Sequence, residues 1–158
     1  MEYLFLRRKT TTATSKRQKT LLFKVAERQW KERFADGESG GRKVDCHIYQ
    51  NLLYQLEIRQ VFLDSRISLK GLSELIDTNQ TYLSNVVNRY FGCNLKELVN
   101  TYRVEYAKEL LRADRCTLEE MPGRCGFASK SAFYAAFSKL VGETPLHYQQ
   151  QERRKWNS

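Results

Sequence analysis

The sequence contains no long apolar run and few residues that break helices. No stretch approaches the roughly 20 apolar residues that a bilayer-spanning helix needs, and the start lacks the apolar segment and cleavage site of a signal peptide. Only two prolines and eight glycines occur among 158 residues. Because Leu, Glu, Lys, Arg and Gln are abundant, this composition favours helices over a β-sandwich or β-barrel. We therefore expect a soluble, intracellular, all-α protein.

The sequence also lacks the motifs of metal sites and of common nucleotide-binding loops. Its four cysteines form no C-x-x-C pair, and its two histidines lie far apart. A zinc site is not expected, because close ligand pairs are its usual signature, and we interpret the cysteines as reduced thiols, some of them in the core. Phosphate-binding loops, His-Glu-x-x-His and dinucleotide fingerprints are missing too, so no metal and no cofactor is expected.

One pentapeptide, residues 37–41 (GESGG), fits the G-x-S-x-G pattern of hydrolase nucleophiles. That pattern requires a strand before it and a helix after it. Here a polar helical stretch precedes it and the short basic segment 42–45 follows. We therefore do not interpret it as catalytic, and we predict that the protein is not an enzyme.

Basic residues are in excess and are unevenly distributed. The chain has 27 Lys and Arg against 18 Asp and Glu, a formal net charge of +9. Residues 1–48 carry 12 basic and six acidic side chains, whereas residues 49–158 carry 15 and 12. This excess favours an anionic partner.

We interpret residues 1–48 as a basic, partly disordered N-terminal segment that acts as a linker. Residues 7–20 are basic and rich in Thr, and residues 36–43 (DGESGGRK) have the composition of a flexible linker. Between them an apolar stripe predicts an amphipathic helix over residues 21–35, formed by Leu21, Leu22, Val25, Ala26, Trp30 and Phe34. It either docks on a partner or is a marginal helix on a piece of a longer protein.

The first residues have the pattern of a membrane helix at its cytoplasmic end. Residues 3–6 (YLFL) are followed by residues 7–9 (RRK), as the positive-inside rule describes. The apolar part is too short to span a bilayer. A membrane tether is therefore only a minor alternative.

Beyond a first helix predicted from Ile48 to about Asp64, the sequence repeats itself with an offset of about 50 positions. Apolar residues of the first copy recur in the second, and each copy ends in a glycine where a helix would stop. The matching pairs are Leu83 and Phe133, Val86 and Ala136, Val87 and Phe137, Tyr90 and Leu140, and Gly92 and Gly142. Their i, i+3, i+4, i+7 spacing puts each apolar set on one helical face.

Capping signals divide each copy into a short leading helix, a turn and a trailing helix. The candidate N-caps are Ser68 and Thr117 for the leading helices, and Thr78 or Asn79, and Ser129, for the trailing helices. Thr117 with Glu120 forms a capping box. A connecting helix is predicted from Asn94 to about Ala113. The sequence therefore predicts two helix-turn-helix units joined by a long helix.

This architecture matches the dimensions of DNA. A connecting helix of about 19 residues would span about 28 Å, and one turn of B-DNA is about 34 Å. A helix-turn-helix unit lays its second helix in the major groove. Two such helices held one turn apart would read one face of a duplex, so the predicted partner is double-stranded DNA.

Six motifs, in this order and spacing, resemble the AraC-type transcriptional regulators. They are LSELI (72–76), YLS (82–84), YRVEYAKELL (102–111), CGF (125–127), F-x-x-x-F (133–137) and G-x-T-P (142–145). The resemblance covers roughly residues 49–150, and we assign 49–152 to a DNA-binding domain and 153–158 to a basic tail. It implies about seven helices, RNA polymerase as a second partner at bacterial promoters, and a cytoplasmic location at the nucleoid. No small-molecule site is evident.

The resemblance places the first recognition helix at residues 79–90. Its groove-facing residues are expected to be Gln80, Thr81, Ser84 and Asn85. Gln and Asn can pair bidentately with adenine, Ser and Thr can donate or accept, and the Thr methyl can contact a thymine methyl. Towards the end of the helix, the expected phosphate contacts are Asn88 and Arg89. The alternative interpretation is a solvated polar helix face.

The second recognition helix, residues 129–141, departs from the family. The resemblance places Lys130, Ser131, Tyr134 and Ala135 towards the groove. Lys130, Lys139 and Arg124 are the candidates for contacts with phosphates. The family often has a basic or long polar residue at position 135, usually lysine at 138 and commonly arginine at 149, where this sequence has Ala, Ser and Gln. Because phosphate contacts supply much of the affinity, we predict that the second unit binds weakly and the first carries most base readout.

Pro122 is a further departure, because the family usually places a small residue there. With Thr117 as N-cap, Pro122 is the fifth helical residue and removes the hydrogen bond to the Leu118 carbonyl. An interior proline costs about 3 kcal/mol in helix propensity, and Gly123 adds up to about 1 kcal/mol. The leading helix of the second unit is therefore predicted to be kinked or poorly ordered. A degenerate helical protein-interaction module without specific DNA binding is the alternative function.

Two further features are interpreted as structural. The aromatic stripe is expected in the core, because its spacing follows the apolar helical faces; it consists of Tyr102, Tyr106, Phe127, Phe133 and Phe137. Arg103, at a position that the family keeps basic, is expected to form an ion pair rather than a DNA contact.

Overall fold

The protein is all-helical over the residues that the structure, a computed structural model, describes. These are residues 16–34 and 40–158, with side chains described at 19–32 and 43–158. They form eight α-helices and no strand, which confirms the predicted fold class. The helices are α1 (Lys16–Phe34), α2 (Gly40–Leu53), α3 (Leu69–Ile76), α4 (Gln80–Phe91), α5 (Leu95–Arg112), α6 (Met121–Arg124), α7 (Lys130–Val141) and α8 (Pro145–Asn157). Within those two ranges, no helix is both long and apolar enough to cross a membrane.

Contacts within the described residues divide them into two compact units. The first contains the residues up to Val61 together with Ser68–Leu95, and the second contains Phe62–Ile67 together with Lys96–Ser158. Each unit therefore holds one helix-turn-helix, made of α3 and α4 in the first and of α6 and α7 in the second. The predicted domain boundary at residue 48 falls inside α2.

The first helix-turn-helix is fixed by caps at its helix ends. Ser68 Oγ accepts a hydrogen bond from the backbone N–H of Gly71 at 3.0 Å, as the N-cap prediction requires. Asn79 Oδ1 accepts from the N–H of Tyr82 at 2.8 Å, so Asn79 is the cap among the two predicted candidates. Gly92 ends α4 in the left-handed conformation, with φ of +70°.

The second helix-turn-helix has the predicted capping box but a shorter leading helix. The N–H of Thr117 donates to Glu120 Oε2 at 3.1 Å, and the N–H of Glu120 donates to Thr117 Oγ1 at 3.3 Å. Because α6 begins at Met121, Pro122 lies in its first turn. The predicted interior position is therefore wrong, and a first-turn proline costs little because N–H groups there have no intrahelical partner.

The core of the second unit confirms the predicted aromatic interior except at Tyr106, which is half-buried and packs against it. Phe133 and Phe137 are fully buried, and Tyr102 is 2% exposed. The Phe137 ring lies 5.8 Å from Phe133 and 5.7 Å from Tyr148, measured between centroids. The buried cluster comprises Val104, Ala107, Leu110, Leu111, Met121, Cys125, Phe127, Phe133, Phe137 and Tyr148. Apolar residues of α5, α6, α7 and α8 thus share one core.

The predicted amphipathic helix exists, and its apolar face is buried within its own unit. In α1, Leu22 and Ala26 are fully buried and Trp30 is 7% exposed, whereas Leu21 is 50% exposed. α1 packs on α2 and on the π-helical turn Tyr54–Ile58 that follows it. This face is therefore covered by the protein itself, which corrects the interpretation that it docks on a separate partner.

The predicted linker is helical over part of its length. Residues 40–43 lie in α2, so the first predicted helix begins earlier than Ile48 and, instead of continuing to Asp64, passes into the π-helical turn after Leu53. The stretch 1–15, Ser39 of the G-x-S-x-G pattern and the side chain of Phe34 lie outside the described residues. At the other end, α8 continues to Asn157, so most of the predicted basic tail is helical.

Arg103 is a structural residue, although not through the predicted ion pair. Its Nε donates to the carbonyl of Phe62 at 2.7 Å and its Nη2 donates to the carbonyl of Asp64 at 2.9 Å. Burial lowers the pKa of Arg103, and the nearby Asp64 carboxylate opposes that effect. These bonds tie the residues after Val61 to α5, because guanidinium groups donate in several directions at once.

Candidate nucleic-acid interface

The six predicted contact residues of the first unit share one face of α4. At 3.6 residues per turn, positions 80, 81, 84, 85, 88 and 89 fall within about half of the helix circumference. The opposite side carries Leu83, Val86 and Val87, all 2% exposed or less. α4 is therefore anchored by its apolar face while its predicted contact face is directed away from the core.

Exposure differs along this face. Gln80, Thr81 and Asn85 are exposed, as base contacts require. Ser84 is half-buried, and its Oγ accepts a hydrogen bond from Asn88 Nδ2 at 3.5 Å. The exposed amides on this face belong to Gln80, Asn85 and Asn88, and the Asn88 amide is the one that donates to Ser84.

Arg89, a predicted phosphate contact, is paired within the protein. Its Nη1 lies 3.0 Å from Asp45 Oδ2, and Asp45 belongs to α2. Tyr90 donates its hydroxyl to the same oxygen at 2.6 Å. The guanidinium is therefore already engaged at the point where a phosphate is expected.

The predicted contact residues of the second unit lie on α7 and at the end of α6. Lys130, Ser131 and Lys139 are exposed on α7, and Arg124 is exposed as the last residue of α6. Tyr134 is half-buried and packs its ring 5.4 Å from Phe133, between centroids. The two predicted sets thus belong to different units.

The positions where the second unit departs from the family differ in environment. Ala135 is exposed and Ser138 is half-buried, whereas Gln149 is only 5% exposed. A residue at position 149 therefore contacts protein in this chain. Of the three positions, Ala135 is the exposed one, and its side chain has no polar atom that could contact a duplex.

Tyr82 is an exposed α4 residue that the contact predictions missed. Its side chain is 56% exposed. It follows Thr81 directly and precedes Asn85 by three positions, so it borders the predicted face. The i, i+3 relation of Tyr82 to Asn85 is present in the sequence and is the signal that would have placed Tyr82 at the edge of this face.

The thiols give no sign of reactivity or of metal binding. All four cysteines are thiols rather than halves of disulfide bonds. Burial raises the pKa of Cys46 and of Cys116, which disfavours the nucleophilic thiolate. Among the residues with described side chains, no group of His, Cys, Asp and Glu is arranged to hold a metal ion.

Comparison with protein families identifies the region of the chain that contains α4 and α7. A family described as a helix-turn-helix domain matches residues 72–151. This match contains most of α3 and all of α4, α5, α6 and α7. α1 and α2 precede it.

Individual relatives match more than half of the chain. The melibiose operon regulatory protein of Escherichia coli K12 is 26% identical over 94 residues, which is 58% of this chain and 31% of that protein. The C-terminal domain of AraT, a response regulator from Geobacillus stearothermophilus, is 26% identical with a TM-score of 0.59, over 66% of this chain and 84% of that one. The DNA-binding domain of AdpA, solved with a target DNA, shares the fold at 20% identity and a TM-score of 0.61, over 68% of this chain and 94% of that one. This chain spans only 12% to 35% of the length of its curated relatives.

Proposed function

Because this chain belongs to the AraC-type family of helix-turn-helix proteins, whose fold is that of DNA-binding transcription regulators rather than enzymes, we propose that it is a sequence-specific regulator that binds double-stranded DNA. α4 enters one major-groove segment and α7 enters the next. The relatives are named as regulators of transcription, and the AdpA domain supports the proposal through its fold. A contact with RNA polymerase and a location at the nucleoid remain predictions.

The polar face of α4 is the observation that carries this proposal. The helix is capped by Asn79, ended by Gly92 and anchored by buried residues, so its orientation is fixed without the polar face. Gln80 and Asn85 are exposed there. Their amides suit bidentate recognition of adenine, and the methyl group of Thr81 suits contact with thymine.

The second recognition helix has a smaller part in the proposal. Lys130 and Lys139 are exposed on α7 and supply positive charge for phosphates. Ser131 is the exposed residue there with both donor and acceptor capacity. We therefore assign most base readout to α4 and mainly backbone contacts to α7.

Selection from a random duplex pool tests the function directly. The expected result is an enriched sequence that binds the chain about 10³-fold or more tighter than a scrambled duplex. The affinity for both duplexes should fall steeply between 50 and 200 mM salt. Each neutralised phosphate steepens the slope of log affinity against log salt concentration by about 0.9. Equal, weak binding to every duplex would instead support the helical protein-interaction module.

The exposed amide of Asn85 provides a test at one base pair. Replacement of Asn85 by Ala is expected to relax preference at a single position by about 1–3 kcal/mol, because it removes a bidentate donor and acceptor. The measurement is a titration of the selected site and its single-base variants. Gln150→Ala is the matched control, since Gln150 is an exposed amide on α8. An unchanged preference in the Asn85 variant removes this residue from the proposed readout.

A further inference from the structure

One carboxylate on α2 binds two consecutive residues at the end of the proposed recognition helix. Asp45 Oδ2 accepts a hydrogen bond from Arg89 Nη1 at 3.0 Å and another from the Tyr90 hydroxyl at 2.6 Å. The Arg89 side chain is 64% exposed, whereas that of Asp45 is 18% exposed. The pair therefore joins a half-buried acid to a cation that reaches into solvent.

Tyr90 fixes the position of the Asp45 carboxylate, because its own ring is packed against aromatic side chains of α1 and α2. The Tyr90 ring packs 6.0 Å from Trp30 of α1 and 6.2 Å from Tyr49 of α2, measured between centroids. Burial, and secondarily the bond to Asp45, raises the pKa of Tyr90, so its hydroxyl stays protonated and donating at neutral pH. The carboxylate thus has a fixed partner besides Arg89, and Arg89 is the partner that can leave.

We propose that Asp45 competes with DNA phosphates for Arg89 and thereby lowers the affinity of the α4 face for any duplex. This inference rests on the proposed function of α4. An exposed ion pair is weak, because water and salt screen it and ordering the long side chain costs entropy. A phosphate can therefore draw Arg89 away, but breaking the Asp45–Arg89 pair subtracts from the free energy of DNA binding.

The proposal predicts an effect that does not depend on sequence. Phosphate contacts position a protein on DNA without reading bases. Removing the competing charge should therefore tighten binding to selected and scrambled duplexes by the same factor. It should also steepen the salt dependence, because one more cation then neutralises one more phosphate.

Asp45→Asn is the test variant, because the amide keeps an acceptor for Tyr90 and removes only the charge. We expect it to bind both duplexes about two- to fivefold tighter than the wild type. The logarithmic salt slope should rise by up to about 0.9. Asp114→Asn is the matched control: Asp114 also pairs with an arginine, Arg153, at 2.9 Å, and lies in the loop after α5.

A double-mutant cycle with Arg89→Gln separates the competition from a general change in charge. In the Arg89→Gln background, Asp45→Asn should no longer tighten binding beyond the Asp114→Asn control. A gain that persists without Arg89, or equal gains for Asp45→Asn and Asp114→Asn, would overturn the proposal. Should circular dichroism show that Asp45→Asn is unfolded, Asp45→Ser provides a second neutral acceptor for the same cycle.

The titrations also keep the two proposals distinguishable. Loss of the difference between selected and scrambled duplexes in the wild type would reject sequence-specific function, while the Asp45 effect would still be measurable on both. A wild type that selects its site, with an Asp45→Asn variant of the same affinity and salt slope, would reject only the competition.

Discussion

Gly126 carries the most severe steric constraint among the described glycines. Its φ is +87°, and a Cβ atom there would lie 2.3 Å from the Phe62 carbonyl oxygen and 2.8 Å from the Leu63 Cα. That oxygen is also the acceptor for Arg103, so the backbone cannot easily retreat. We expect Gly126→Ala to lower the free energy of unfolding by at least about 2 kcal/mol, measured by denaturant unfolding.

Substitutions at two other glycines distinguish the effect of this steric clash from the effect of backbone strain. Gly142 has φ of +85° but no atom within 4 Å of an added Cβ, so Gly142→Ala should cost about 1 kcal/mol. Gly123 has open space and lies inside α6, so Ala there should be neutral or stabilising by up to about 1 kcal/mol. Equal losses for all three variants would contradict the close approach at Gly126.

At the scale of single residues, the sequence predicts local contacts and misses distant ones. The sequence predicts Ser129 as a cap, and its Oγ accepts a hydrogen bond from the N–H of Ala132 three residues later. The Asp45 contacts with Arg89 and Tyr90 join residues 44 and 45 positions apart. Such contacts depend on how α2 packs against α4, which no local pattern encodes.

At the scale of helices, α1 is expected to stabilise the first unit. Leu22 is fully buried on its inner face. Leu22→Ala should therefore lower the free energy of unfolding by roughly 2–5 kcal/mol, through lost burial and the cavity left behind. The neighbouring Leu21→Ala is the control, because Leu21 is half exposed and its loss should stay within about 0.5 kcal/mol.

Chemical denaturation, monitored by circular dichroism, gives the free energy of unfolding of each variant and so distinguishes them. If Leu22→Ala is as stable as Leu21→Ala, α1 contributes little to the unit, and its buried face has another role. The interpretation of α1 as an integral element would then fail even though the helix itself remains.

Helix positions were predicted better than helix lengths. The bounds that the resemblance implies for the recognition helices, 79–90 and 129–141, agree with α4 and α7 within one residue at each end. The repeat and its glycines point to the same two helices, because capping and i, i+4 spacing are local. α6 begins later than predicted, because the capping box at Thr117 precedes a turn rather than the helix itself. α2 begins earlier than predicted, because glycines 40 and 41, which favour a linker in the sequence, lie in its first turn.

At the scale of the whole molecule, we predict selected DNA sites with one well-defined block and one weakly defined block. Ala135 has no polar side-chain atom, and Tyr134 is half-buried against Phe133. α7 therefore offers fewer groups to base edges than α4 does. Base frequencies at each position of the selected pool measure this difference.

A paired substitution checks the same prediction. Lys130→Gln on α7 should weaken binding about equally across sequences and reduce the salt slope by about 0.9, because it removes a phosphate contact. Asn85→Ala on α4 should instead change base preference. Two equally sharp blocks, or a sequence-dependent effect of Lys130→Gln, would contradict the assignment of base readout to α4.

The segment 62–67 has a consequence for any attempt to dissect the protein. The chain enters the second unit at Phe62, returns to the first at Ser68 and leaves it again after Leu95. A fragment that starts at Lys96 would therefore lose the carbonyls that Arg103 binds and the backbone against which Gly126 is seated. No single cut therefore separates the protein into two intact halves, because residues 62–67 belong to the second unit while the residues on both sides of them belong to the first.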